Sequence, residues 1–534
     1  MNLDKSTLRS QIFCHLDGLV TAPVAISLLD HGVIDDFKRE DEFYIEDIAK
    51  THNANDGYLN VALRVLSSQG FLSQRLDVKN NKFYYRSTDR GRVAFDLFYL
   101  YRDVVELLIF SGKFHPRKFE QAPFELLKNI FKKYKNSYDL EISEDPMIMS
   151  VQKQILNHIE GFIVGPTIVR LGMNGMFHKY FMHTSFRPDE FHEFPESFKE
   201  ILDFFVFLGW FVCHNDHYQF TDKGLFFSKR ATAYGVTVSY LPTFRKIDQL
   251  IFENPNTLKK LNENDDEAHV DREMNVWGSG GAHSNYFKIV DQIILDLFNR
   301  PIEEQPKGVL DMGCGNGAFL IHIFNLIEKH TLRGQMLDEH PLFLVGVDYN
   351  KAALNVTRKN LIKSEIWAKV IWGDIGNPDL LASGLKENYN IDLKDLLNVR
   401  TFLDHNRVWS DPSFITKNRH SKSTGSFAFK GKLLATNIVE DNLLEHMKSW
   451  MPYVKNFGLI LIELHTLDPF ITSKHIGKSA ATAYDATHGF SDQYIIELEI
   501  FHEICMEAGL VIDKKFFKKF PNSELSTISV NFFR

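Results

Sequence analysis

Between residues 308 and 324 an apolar run, GVLDM, passes glycines at 313, 315 and 317 and enters a helical pattern, AFLIHIF. Glycines at alternate positions let the backbone turn sharply after a strand, and let a ligand approach the helix N-terminus closely. Such a strand–turn–helix unit belongs in a parallel sheet, where connections must cross over through helices. Two further apolar runs, FLVGVD and AKVIWGD, end at Asp348 and Asp374; DLLNVRTFLDH and LILIELH continue the alternation toward the C-terminus. A parallel, doubly wound α/β sheet follows, and AGLVIDKKFFKKF with LSTISVNFF predicts a closing β-hairpin. A glycine loop alone says little. Acids at the strand ends say more, because a carboxylate at Asp348 suits a ribose diol.

D-x-G-x-G-x-G after strand one, an acid ending strand two and Gly-Asp after strand three resemble the class I S-adenosylmethionine-dependent methyltransferases. That resemblance implies a Rossmann-like, mostly parallel seven-stranded sheet. It assigns Asp311, Gly313, Gly315, Asn316 and Gly317 to the cofactor, with Gly313 and Gly315 facing its methionine part. Asp348 would meet the ribose hydroxyls, and Asp374 with Ile375 would lie beside the adenine.

The first half of the chain carries a repeat. Pro23, Gly70 and Gly91 are answered in the same order, at nearly constant spacing, by Pro166, Gly209 and Gly224. Each half reads as helices, then a recognition-like helix ending at a glycine, then a short β wing closed by a Thr-Asp-basic-Gly turn. That is the pattern of a winged helix, so residues 1–245 are expected to form a duplicated winged-helix lid or dimerisation region. Nucleic acid is not the expected partner. GYLNVALRVLSSQG carries one arginine, ESFKEILDFFVFLG is acidic and apolar, and the net charge is −8, whereas phosphate contacts need a basic face. A polar, acid-rich stretch at 253–275 places a linker over 246–275, and the core is expected over 276–534. VWGSGGAHSNYF is read as a glycine-rich turn feeding a helix, with His283 covering the cofactor or capping that helix.

Among 534 residues, 44% are apolar and 24% charged, which fits a globular protein. Four cysteines, at 14, 213, 314 and 505, give neither a disulfide framework nor a zinc spacing. The start, MNLDKSTLRSQIF, lacks the basic-then-apolar layout of a secretory signal, and no run approaches 18 consecutive apolar residues. The expectation is a cytoplasmic enzyme without a membrane partner, monomeric or homodimeric.

Ligands in such sheets bind beyond the carboxyl ends of the strands. Arg400, Asp404, His405 and Arg407 cluster at the end of strand four, Glu463 and His465 end strand five, and Asp485, His488, Asp492 and Gln493 follow. GSGGAHSNYF, VRTFLDHNR and YDATHGFSDQY resemble the C-methyltransferase domains of certain polyketide synthase loading regions. That narrower resemblance implies a malonyl-type thioester on an acyl carrier protein, methylated at its α-carbon, and one bound metal ion, usually iron. His488 and Gln493, with His465 as a third donor, are the implied ligands, and imidazole suits iron, zinc and manganese alike. Arg400 and Arg407 are candidate clamps for the malonyl carboxylate, or salt-bridge partners of Asp404 and Asp411. His405 is a candidate proton acceptor or a structural hydrogen bonder. The rival reading is a small-molecule O-methyltransferase with a winged-helix dimerisation domain, in which Glu463 and His488 act as acid and base. A non-catalytic protein that kept the cofactor fold is a third.

Overall fold

A computed structural model describes residues 4–78, 82–111, 121–257 and 268–534. The chain forms two compact units. The first contains residues up to Ala282 together with two later segments, Ser426–Leu434 and Asp468–Asp492. The second contains His283–Gly425, Ala435–Leu467 and Gln493–Arg534. Part of the expected linker, 258–267, lies outside the described residues.

In the first unit, α1 (Lys5–Asp30) leads to a three-stranded sheet. Strand β1 (Glu42–Tyr44) is followed by α2 (Ile45–Thr51), α3 (Asp56–Ser68), β2 (Leu72–Asp77), β3 (Lys82–Ser87) and α4 (Asp89–Phe95). The second copy places α5 (Pro146–Met173), α6 (Pro195–Phe207), the hairpin β4 (Phe211–His214) and β5 (His217–Phe220), and α7 (Asp222–Ser228) in the same order. α1 is long and apolar enough to cross a membrane by length and composition, but it is largely buried as a core helix.

The Thr-Asp-basic-Gly motifs start helices instead of closing wings. Thr88 Oγ1 accepts from Gly91 N–H at 2.9 Å and Thr221 Oγ1 accepts from Gly224 N–H at 3.1 Å, the N-caps of α4 and α7. A Cβ on Gly91 would stand 1.9 Å from the Phe71 carbonyl oxygen, and one on Gly224 2.1 Å from that of Trp210. Both glycines are therefore fixed by close backbone approach. The expected turn at VWGSGGAHSNYF is likewise replaced by α8 (Arg272–Phe298), one 27-residue helix. Gly278 serves close packing there: its Cβ would lie 2.6 Å from the Val236 nitrogen. The side chain of His283 lies outside the described residues.

α3 presents a polar face to the two late segments. Arg64 Nε donates to Asp485 at 2.7 Å, Tyr58 OH to Asp492 at 2.7 Å, and Asn60 Nδ2 to Ser426 Oγ at 3.1 Å. Gln69, just beyond α3, donates to Thr482 Oγ1 at 2.8 Å. Gln69 and Thr482 also hydrogen-bond Asp17, yet burial outweighs them and pushes this carboxyl up to about 7. Because that value exceeds the unfolded one, Asp17 lends stability below about pH 4 that is lost as pH rises through 7. Asp17→Asn should thus melt higher than the parent above pH 7, by on the order of 5 °C. The gap should close as pH falls toward 4; a gap independent of pH in melting curves would contradict the assignment.

The second unit is built on a seven-stranded sheet. Its strands are β6 (Gly308–Met312), β7 (Phe343–Asp348), β8 (Lys369–Trp372), β9 (Leu396–Thr401), β10 (Leu459–Leu464), β11 (Lys518–Phe520) and β12 (Ile528–Phe533). The order is β11-β12-β10-β9-β6-β7-β8. Pairing is parallel from β10 to β8, while β12 runs antiparallel to both β10 and β11. The expected strands and closing hairpin are all present. β6 and β10 are buried along their whole length and β9 along all but its last residue, which is why they read as largely apolar runs.

Candidate active site

β6 leads into the glycine loop and then α9 (Ala318–His330). Gly313, Gly315 and Gly317 have φ of +81°, +55° and +78°, a region that strongly favours glycine. A Cβ on Gly315 would meet nothing within 4 Å, so the loop keeps an open surface there. The loop is pinned on both sides. Gly315 N–H donates to Asp348 Oδ2 at 3.0 Å, and Thr357, on α10 (Lys351–Lys363), donates to the Gly315 carbonyl at 2.7 Å. Asn360 Nδ2 holds the Asn316 carbonyl at 2.8 Å. Asp348 also accepts from Asn350 N–H at 2.8 Å, and a carboxylate has further lone pairs for a diol. Burial, with Asp348 nearby, pushes Asp311 up to about 7. Asp374 accepts from Gly376 N–H at 2.8 Å, and the Ile375 carbonyl accepts from Trp450 Nε1 at 2.7 Å. The open glycine cradle with a carboxylate at its edge fits S-adenosylmethionine. Gly315→Val should abolish cofactor binding, because a branched side chain both fills the cradle and strains the loop at this φ; calorimetry showing undiminished affinity in folded protein would refute this.

The rim at the ends of β9 and β10 is densely polar. His405 Nδ1 lies 2.5 Å from Glu463 Oε1, and His405 N–H donates to Glu463 Oε2 at 3.3 Å. The acid grips both ring and backbone, so the imidazole is held in one orientation with its proton on Nδ1. Arg400 is fully buried, 2.5 Å from Asp404 and 3.9 Å above the Trp450 ring. Burial raises the Asp404 carboxyl, but Arg400 and His446 outweigh it and hold the group well below the usual carboxylate range. Arg400 thus pairs with Asp404, its alternative reading as a salt-bridge partner, while its Nε and Nη2 are buried without a hydrogen-bond partner among the described residues. Arg407 differs. Its Nε donates to Asn442 Oδ1 at 2.6 Å and its Nη1 to the Asp404 carbonyl at 2.9 Å. Among the described residues its Nη2 is buried without a hydrogen-bond partner. Burial lowers this guanidinium to about 10.

The family models decide what this geometry belongs to. Residues 267–531 match the model described as the AprA MT2-like domain, residues 160–254 the AprA winged helix domain, and residues 8–74 the AprA N-terminal domain. The core is an S-adenosylmethionine-dependent methyltransferase domain. No match to a curated protein was found. Among solved structures, the S-adenosylmethionine-dependent methyltransferase SibL is 13% identical, over 70% of this chain and 97% of its own, with a TM-score of 0.35. An O-methyltransferase family protein from Burkholderia thailandensis is 10% identical, over 69% and 93%, at 0.37. The DszA carbon methyltransferase is 10% identical, over 78% and 98%, at 0.28. Likenesses this remote carry no function across.

Of the expected metal ligands, His465 is taken up by the fold. His465 is fully buried, with Nε2 2.7 Å from Ser529 Oγ and Nδ1 3.1 Å from the Ile496 carbonyl. Both ring nitrogens are used by the fold, and burial lowers its pKa to about 3. His465 is therefore not a metal ligand. His488 lies on the helix Ala481–Gly489 of the first unit, with Nδ1 2.7 Å from the Tyr484 carbonyl, while Gln493 begins a segment of the second unit. Among the described residues no group of three His, Cys, Asp or Glu side chains is placed to hold an ion. Glu463 pairs with His405.

Three residues of the rim escaped the sequence reading. Asn442, His446 and Trp450 lie four apart on α11 (Thr436–Val454) and contact Arg407, Asp404 and Arg400 respectively. Polar and aromatic groups at i, i+4 and i+8 share one helix face, and that spacing was the available signal.

Proposed function

We propose that this chain methylates the α-carbon of a malonyl-type acyl thioester presented by an acyl carrier protein, with His405 as the general base. The observation that carries the proposal is the His405–Glu463 pair, 2.5 Å apart at the carboxyl ends of β9 and β10. With Nδ1 protonated toward Glu463, the opposite nitrogen, Nε2, is the basic one and takes the acceptor's proton as an electron pair develops on carbon. Glu463 stabilises the imidazolium that forms. S-adenosylmethionine supplies an electrophilic methyl group, whose bond to sulfur breaks as the acceptor's carbon bonds to it. Arg407 and Arg400 support an anionic acceptor: buried guanidinium groups with unused donors gain most from a carboxylate. His488 and Gln493 gain no third donor from His465, whose ring nitrogens are both used by the fold, and carbanion formation rests on His405.

The test offers malonyl- and acetyl-loaded carrier proteins and counts added methyl groups by mass spectrometry. Methylation of the malonyl form, lost in Arg407→Gln with cofactor affinity unchanged, is the expected result. Methylation of a phenol or alcohol in preference to either thioester would favour the O-methyltransferase reading, since a His–Glu dyad also deprotonates hydroxyls.

A further inference from the structure

We propose that the first unit is a dimer folded within one chain, so that the protein is a monomer in solution whose winged-helix modules pair with each other. The repeat extends to the side chains at the crossing of α1 and α5. His15, Asp17, Gly18 and Pro23 recur, all at one shared offset, as His158, Glu160, Gly161 and Pro166.

Their contacts are reciprocal. His15 Nδ1 lies 2.8 Å from the hydroxyl of Tyr234, and His158 Nδ1 lies 2.7 Å from that of Tyr101. Tyr101 and Tyr234 are themselves equivalent, separated by the same offset as Gly91 and Gly224. Each module's histidine is therefore capped by the other module's tyrosine. The helices also touch reciprocally. A Cβ on Gly18 would lie 2.4 Å from the backbone of His158, and one on Gly161 2.4 Å from that of His15. Contact of i with j and of j with i is the signature of an isologous, twofold interface. Here one polypeptide supplies both halves, so the pairing face is already covered.

The two copies have diverged in a way that suits a single chain. Glu160 reaches across to His15, 3.2 Å from its Nε2. Asp17, one methylene shorter, turns instead to Gln69 and Thr482. In the register that matches Gly70 with Gly209, the gripping residues Tyr58, Asn60, Arg64 and Gln69 correspond to Ser197, Lys199, Asp203 and Leu208. Lys199 and Asp203 bond within their own module, to Asp216 and Tyr218. Among the described residues, α3 and Gln69 of the first copy supply these polar grips on the late segments.

Light scattering on the eluting full chain, at about 1 and 100 µM, tests the proposal, because association depends on protomer concentration. A mass of 61.9 kDa at both concentrations is expected; twice that mass at either would overturn it. Tyr101→Phe and Tyr234→Phe each delete one hydroxyl from equivalent places. Both should lower the melting temperature by similar amounts, because each leaves a buried imidazole nitrogen without its partner. A shift in only one, or in neither, would mean that the twofold is a repeat of backbone without a working interface, and would also overturn the proposal.

Discussion

His405→Ala should cut methyl transfer by about 10²- to 10⁴-fold, the usual contribution of a positioned general base, while S-adenosylmethionine affinity stays unchanged. The separation follows from placement. His405 sits beyond β9 against Glu463, whereas the glycine loop is held by Asp348, Thr357 and Asn360. Glu463→Gln should lose less activity than His405→Ala, because an amide still orients the ring but no longer stabilises its positive charge. The measurement is single-turnover transfer with the malonyl-loaded carrier, alongside cofactor calorimetry. Full turnover by His405→Ala would remove the base and leave the Glu463 contact as a purely structural bond.

The largest effect on stability is expected at Arg64. Its side chain and that of Asp485 are almost completely buried, 2.7 Å apart. Removing one partner leaves an uncompensated buried charge, which costs about 3–5 kcal/mol. Arg64→Ala should therefore lower the melting temperature by roughly 10 °C and expose residues 468–492 to limited proteolysis. Pairing Arg64→Met with Asp485→Leu removes both charges and keeps much of the volume, so the double variant should recover most of the loss. If the double variant is as unstable as Arg64→Ala, packing rather than charge governs the site.

The sheet was legible because its signals are local. The glycines of the first loop need positive φ, Asp348 ends its strand, and the buried strands β6 and β10 spell themselves as largely apolar runs. The repeat was legible for the same reason, since Gly70, Gly91 and their counterparts punctuate short helices and hairpins. What escaped depends on partners far apart in sequence. Arg64 and Asp485 are 421 residues apart, and no pattern near either names the other. His465 and His488 looked alike as strand-end and loop histidines. Yet one is sealed between Ser529 and a carbonyl, and the other stands on a helix in a different unit. Glu463 was seen at the rim, but a choice between two histidines is made by tertiary placement that spacing does not encode. Arg400 and Arg407, close neighbours in sequence, separate only through Trp450 and Asn442 on α11.

The late segments that complete the first unit bear on how the protein is made. During synthesis the N-terminal modules emerge first, but the partners of Asn60, Arg64 and Tyr58 do not appear until residues 426, 485 and 492 are translated. Domains usually fold as units in order of emergence. Here the polar face of α3 must wait, solvated, for nearly the whole polypeptide. Stopping translation anywhere before residue 485 therefore yields a nascent chain whose first unit is unfinished, and the final folding step couples the two ends of the sequence.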